Sequence, residues 1–120
     1  MIPNQNKVIL SVVIIGKNES AYIGKCIQSV LDGTQDFPGC EIIYVDSAST
    51  DQSVFIAQAY PIKIIQLKPE WELSASAGRY LGSIHTSGEY IFFIDGDSFI
   101  FKDWLSEAVS YLKDHPQIGG

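Results

Sequence analysis

Apolar and polar positions alternate along this chain in two rhythms, and the switches between them mark eight segments. Residues 8–15 form a β-branched run interrupted only at Ser11, which predicts a buried strand. Ile23, Cys26, Ile27, Val30 and Leu31 then repeat at helical spacing, predicting an amphipathic helix over residues 20–32 with Gly33 as its left-handed C-terminal cap. A turn at Phe37-Pro38-Gly39 leads into a second strand at residues 41–45. Ser49 and Gln52 have the spacing of a capping box for the next helix, which Pro61 ends. A third strand is expected at residues 62–67, then a loop with Pro69 and Trp71, and a third helix from Ser74 to His85. Residues 90–94 read as a fourth strand, apolar throughout. Asp103 is placed to cap a fourth helix, whose Leu105, Ala108, Val109 and Leu112 share one face and which Pro116 follows.

Strands of this kind alternating with helices imply an α/β fold with a mainly parallel sheet covered on both faces. The 120 residues make one small domain, with no repeat or internal linker. The chain stops where a fifth strand should begin, at residues 117–120, so the sequence reads as part of a longer domain.

Composition narrows the function by exclusion. Fourteen acidic residues against eight basic ones give a formal charge of −6, and no Lys/Arg cluster offers a phosphate-tracking surface, so nucleic acid is not an expected partner. Residues 8–15 are too short to span a membrane and no cleavage site follows them. Cys26 and Cys40 lack the spacing of a metal or redox motif and read as reduced thiols. A cytoplasmic setting is expected, with the inner face of the membrane as an alternative for the full-length protein.

The carboxyl ends of parallel strands are where such sheets bind ligands. Those ends carry Gly16-Lys17-Asn18-Glu19, then Asp46 to Asp51, then Lys68 onward to Arg79, then Asp95-Gly96-Asp97. Carboxylates gathered on one edge repel unless they are solvated or share a cation, and hard cations such as Mg²⁺ or Mn²⁺ suit oxygen ligands. Asp-X-Asp alone means little, but here it follows a buried strand, and Gly96 permits a sharp turn between the two carboxylates. Asp46 fits base recognition or turn-making, with recognition favoured. Arg79 fits a phosphate or a base carbonyl, or an ordinary salt bridge. Asp51, Ser49 and Thr50 fit helix caps, and Lys17 fits a solvated lysine or a diphosphate-steering charge. His85 and His115 read as structural.

The succession Ser11-Val-Val-Ile-Ile-Gly-Lys-Asn-Glu19, Ile43-Tyr-Val-Asp-Ser-Ala-Ser-Thr-Asp-Gln-Ser53 and Gly88-Glu-Tyr-Ile-Phe-Phe-Ile-Asp-Gly-Asp97 resembles glycosyltransferase family 2, enzymes of the GT-A fold. The resemblance runs from about Lys7 to the last residue. It implies a Rossmann-like sheet in the order 3-2-1-4, forming the sugar-nucleotide-binding part of the domain. It further implies a nucleotide-diphosphosugar donor, Mg²⁺ or Mn²⁺, and transfer to an acceptor hydroxyl, usually with inversion. The donor-binding residues it implies are Gly16, Lys17, Glu19, Asp46, Ser47, Arg79, Asp95 and Gly96, with Asp97 and Asp95 as metal ligands. Two departures stand out: Gly16-Lys17 where many members carry Pro or Ala then Tyr, and Tyr80 where many carry Asn.

The family's general base lies in a later part of the domain, so no catalytic base is expected within this chain and the acceptor is left open. Strand four, from Tyr90 to Ile94, is expected to present an open edge capable of pairing with a second copy. A nucleotidyltransferase would need a glycine-rich basic loop after strand one, and a receiver-like signalling domain an Asp after strand three; neither is present. A sugar-nucleotide-binding module without catalysis is the remaining alternative.

Overall fold

The computed structural model describes residues 8–35, 37, 39–69 and 75–115. Trp71, Ser74, Pro38, Pro116 and residues 117–120, to which the sequence reading assigned turns, caps or a further strand, lie outside the described residues. Within them the order is β1 (Leu10–Gly16), α1 (Ile23–Gly33), β2 (Cys40–Asp46), α2 (Ser53–Ala57), β3 (Lys63–Gln66), α3 (Ala75–Ile84), β4 (Tyr90–Asp95) and α4 (Trp104–Asp114). The strands pair in parallel in the order β3-β2-β1-β4, as expected from the motif succession.

Alternation along β1 and β2 divides the core into two layers. Leu10, Val12 and Ile14 join Ile42 and Tyr44 against Ile23, Cys26, Ile27 and Val30 of α1, Ala57 of α2, and Leu105 and Val109 of α4. On the opposite face Val13, Ile43, Val45 and Leu67 pack with Leu81 of α3. Helix α3 comes very close to the sheet because it faces it with glycine: a Cβ on Gly82 would stand 2.5 Å from Val13 Cγ1.

Cover on both faces holds for β1 and β2 but not for β4. Tyr90, Phe92 and Ile94 pack against the α1/α4 layer, whereas Ile91 and Phe93 on the reverse face are 38% and 43% exposed. The expectation of a strand buried throughout is therefore corrected: α3 lies over β1 and β2, and β4 is the edge of the sheet among the described residues.

Three expected caps also differ, each because a tertiary partner claims the residue. Gly33 is the last helical residue with an ordinary negative φ, and the cap is Thr34, whose hydroxyl donates to the Val30 carbonyl. The packing reason for Gly33 is Ile100, whose Cδ1 would lie 3.0 Å from an added Cβ. Helix α2 begins four residues after Ser49, whose hydroxyl bonds Asp46 instead, so no capping box forms. Asp103 precedes α4 but makes no side-chain cap bond.

At the amino ends of the strands a buried polar clasp fixes their register. Ser11, fully buried, donates to Glu41 Oε2 (2.6 Å) and accepts from the Gly88 amide. The same Glu41 oxygen accepts from the Ser87 amide at 2.6 Å, and Lys63 Nζ stands 3.5 Å from the other oxygen. Burial pushes the Glu41 carboxyl up, but the Ser11 and Ser87 hydrogen bonds and Lys63 together hold it below its ordinary 4.5. A lowered folded pKa means stability that is present above pH 4.5 and lost as pH falls through the folded value. Glu41→Gln is expected to cost about 1–3 kcal/mol at pH 7 and much less below pH 4, as read by urea unfolding at both pH values.

Candidate functional site

The order β2-β1-β4 means that the chain leaves β1 in one direction and returns on its other side. The carboxyl end of β1 is thus the switch point of the sheet, the place where open α/β sheets hold ligands. Asp46 pairs across Gly16 and Asp95 across Ile15, so two carboxylate-bearing strand ends flank the end of β1. The ladders run on past them, with Ser47 N donating to Gly16 O and Gly96 N to Ile15 O.

Glycine lets these ends meet. A Cβ on Gly16 would stand 3.6 Å from Gly96 Cα, and one on Gly96 would stand 3.5 Å from Gly16 Cα. The Glu19 stem lies across both, its Cγ 3.2 and 3.4 Å from those two positions. The Glu19 carboxyl therefore sits among the acidic groups, and its pKa is raised above 4.5 by burial and then by Asp97, Asp51 and Asp95. Beneath it Cys26 donates to the Asp95 carbonyl at 3.6 Å, and its thiol is pushed up to about 12 by burial and by Asp97, Asp95 and Glu19. That thiol stays protonated and is packing, not chemistry.

The structure places the other expected residues as follows. Asp95 ends β4 and is exposed, Gly96 is buried beneath the turn, and Asp97 is exposed. The turn is closed by Ser98 N donating to the Asp95 carbonyl. Lys17 is exposed in the β1–α1 loop. Gly78, in the first half of α3, lies over Ile15 and toward Ser47, 3.2 Å and 4.0 Å from an added Cβ, which brings the following residue Arg79 to the same edge. Arg79 is exposed, with no hydrogen-bond or ion-pair partner among the described residues, so its guanidinium is free for an anion.

Asp46 is different. It is 2% exposed, and its carboxylate is filled from within the protein. Oδ1 accepts from Tyr44 Oη and Ser49 Oγ, both at 2.6 Å, and Oδ2 accepts from Ser49 N at 2.8 Å. The turn-making role left open by the sequence is the one this geometry supports. Burial and then Asp46 push the Tyr44 phenol upward, so it remains a donor.

The sequence reading missed what the hydroxyl-rich run after β2 does. Ser49 Oγ accepts from Asn18 N (2.8 Å), Ser53 Oγ from Glu19 N (2.9 Å) and Asp51 Oδ2 from Ser20 N (3.1 Å). Three successive amides of the β1–α1 loop are thus held by side chains of the β2–α2 loop. Asn18 Oδ1 accepts in return from Thr50 N at 2.8 Å. Asp51 also accepts from Ser53, which holds its carboxyl down at about 2. The available signal was Asn18 itself: at φ 54 it is left-handed, a conformation Asn tolerates well.

Because these amides are occupied, the loop after β1 cannot cradle a phosphate through its backbone as glycine-rich loops do. Charge on a bound anion must be met elsewhere. Among the described residues no three carboxylate, imidazole or thiol groups converge to cage a metal. Asp95 and Asp97 instead offer two carboxylates on one exposed turn. That set fits a Mg²⁺ or Mn²⁺ ion that keeps waters and takes further ligands from a substrate phosphate. An open cleft of about 550 Å³, lined by Leu31, Thr34, Phe37, Cys40, Glu41 and Lys63, lies at the opposite end of the sheet, away from these carboxylates.

An open parallel sheet with carboxylates at its switch point defines a nucleotide-binding α/β protein of the GT-A type. More particularly, the chain belongs to glycosyl transferase family 2, which matches residues 11–119. It is 32% identical over 111 residues to the poly(ribitol-phosphate) beta-N-acetylglucosaminyltransferase TarS of Staphylococcus aureus, covering 88% of this chain and 19% of that protein. It is 34% identical over 112 residues to the putative glycosyltransferase EpsE of Bacillus subtilis, covering 88% and 39%. The crystal structure of S. aureus TarS residues 1–349 with UDP-GlcNAc superposes with a TM-score of 0.79 at 28% identity, covering 90% of this chain and 32% of that one. The mannosyltransferase PcManGT of Pyrobaculum calidifontis, solved with GDP-Man and Mn²⁺, shares the fold with a TM-score of 0.75 at 21% identity. The chain thus spans well under half the length of these relatives.

Proposed function

We propose that residues 1–120 are the donor-binding part of a metal-dependent glycosyltransferase that transfers a sugar, with inversion, from a nucleotide-diphosphosugar to an acceptor hydroxyl. The observation that carries the reading is the meeting of Gly16, Glu19, Gly96 and the Asp95/Asp97 carboxylates at the switch point of the sheet. The TarS complex makes a UDP-sugar the donor to test first.

In this reading Asp97 is the direct metal ligand, Asp95 lies toward the ribose and the metal, and Glu19, Ser47 and Arg79 approach the nucleotide. Lys17, exposed at the mouth, adds a charge that steers the diphosphate. The bound cation supplies charge neutralisation on the departing diphosphate. The free guanidinium of Arg79 adds a fixed positive charge on the same edge. Among the described residues His85 and His115 hold backbone carbonyls through Nδ1, and Asp103 and Asp114 lie on or beside α4, so none is proposed as the general base. That group is placed after Gly120, so the 120-residue chain is expected to bind donor without transferring sugar, as a radiolabelled-donor transfer assay would report. Robust transfer by this chain would contradict the assignment.

Among the described residues no helix is long and apolar enough to cross a membrane, and Cys26 and Cys40 are free. Both features accord with the cytoplasmic setting we propose. The open edge of β4, with Ile91 and Phe93 uncovered beside it, supports a second proposal. The chain is expected to self-associate at high micromolar concentration, seen as a rise in mass by light scattering that Phe93→Lys suppresses. A monomer at all concentrations would contradict it.

A further inference from the structure

The occupied amides of the β1–α1 loop have a consequence for the site. We propose that the Asn18–Ser49–Ser53–Asp51 clamp is a positioning device for donor binding: it holds the Glu19 carboxylate at the acidic edge, and its members do not themselves touch the nucleotide. This inference rests on the donor-binding reading above.

The geometry builds the case in three steps. Glu19 is the residue at the centre of the clamp, since its own amide is bound by Ser53 Oγ and the amides on either side by Ser49 Oγ and Asp51 Oδ2. Its carboxyl is unfavourably placed, facing Asp97, Asp51 and Asp95, so left to itself the side chain would swing away toward water. A backbone pinned at three successive amides, with the stem wedged over Gly16 and Gly96, removes that freedom.

The clamp is anchored in turn to the core. Ser49 is fixed by the buried Asp46, and Asp46 by Tyr44, which packs in the α1-side layer. Ser53 is fully buried and is bound by Asp51 at 2.6 Å. The left-handed Ala48, at φ 58, lies between Asp46 and Ser49, and those bonds hold it in a conformation that a β-carbon disfavours. Tyr44, Asp46, Ser49 and Asn18 thus form a continuous line from the hydrophobic core to the loop that carries Glu19. Asp46 acts on the donor through that line.

The test is a double-mutant cycle read by calorimetric titration with uridine diphosphate and Mn²⁺. Asn18→Gly keeps the left-handed backbone but removes the oxygen that Thr50 donates to. It is expected to speed amide exchange at residues 18–20 by about tenfold and to weaken nucleotide binding by a similar factor. Ser49→Thr, which retains the hydroxyl at a half-buried position, is expected to leave both within twofold of wild type. In the Glu19→Gln background, Asn18→Gly is expected to change affinity less than twofold, because the group it positions has already lost its charge.

Equal, additive losses in both backgrounds would overturn the positioning role. So would wild-type affinity in Asn18→Gly despite freely exchanging amides. Failure of the wild-type chain to bind nucleotide would instead overturn the donor-binding reading, and the clamp's function with it.

Discussion

Gly88→Ala is expected to be among the most destabilising single changes available in this chain, lowering the melting temperature by about 10–15 °C. A Cβ there would stand 2.6 Å from Ser11 Oγ, 2.7 Å from Ser11 N and 2.9 Å from the Leu10 carbonyl carbon. Two of those three atoms are backbone of the central strand, so no rotamer change relieves the overlap. The turn must move, and with it the Gly88 amide that bonds Ser11 and the Ser87 amide that bonds Glu41. Overpacking costs about 1–3 kcal/mol and a broken buried hydrogen bond about 1–3 more, against a total of roughly 5–15. Differential scanning calorimetry reads the shift. A melting temperature within 3 °C of wild type would mean that the turn before β4 is free to relax.

Asp97→Ala carries the second large effect, on binding and not on stability. Asp97 is exposed and adds to the repulsion that Glu19 feels, so its removal is expected to leave the fold intact. Nucleotide binding in the presence of Mn²⁺ is expected to fall by about 100-fold, since even residues that only support metal ligands are worth about 10–100-fold. The Mn²⁺ dependence itself should disappear, leaving whatever weak affinity Arg79 and the apolar edge provide. A tenfold loss or less, with Mn²⁺ dependence retained, would move the metal to other ligands.

Most of the fold was legible because it is written in periodicities that tertiary context rarely overrides. The β-branched run of β1 and the helical spacing of Ile23, Cys26, Ile27 and Val30 are core patterns, and all these side chains are buried. The strand order came from the motif succession, not from periodicity. What failed was local punctuation. Ser49, Asp103 and Gly33 each carry a residue type common at helix ends, but such signals are worth only about 1 kcal/mol. Asp46 and Ile100 outcompeted two of them, through a buried carboxylate at Ser49 and close packing at Gly33. The apolar sequence of β4 also misled, because Ile91 and Phe93 look like core residues yet have nothing over them among the described residues.

The candidate site divides along the same line. Asp95-Gly96-Asp97 was recognisable because it follows a strand, and the structure adds the Gly16–Gly96 approach that makes the turn fit. Asp46 was recognisable as important but not as internal: its burial depends on Tyr44, two residues earlier on the same strand face. The clamp on residues 18–20 was invisible, because it joins two loops about thirty residues apart and uses residue types that also serve as ordinary caps.

The central claim is that the acidic edge holds a nucleotide diphosphate through a shared divalent cation. Calorimetric titration of the wild-type chain with UDP-GlcNAc, with and without Mn²⁺, tests it most directly. The account predicts saturable one-to-one binding with Mn²⁺ and at least about tenfold weaker binding without it. Equal affinity in the two conditions, or no binding in either, would contradict it.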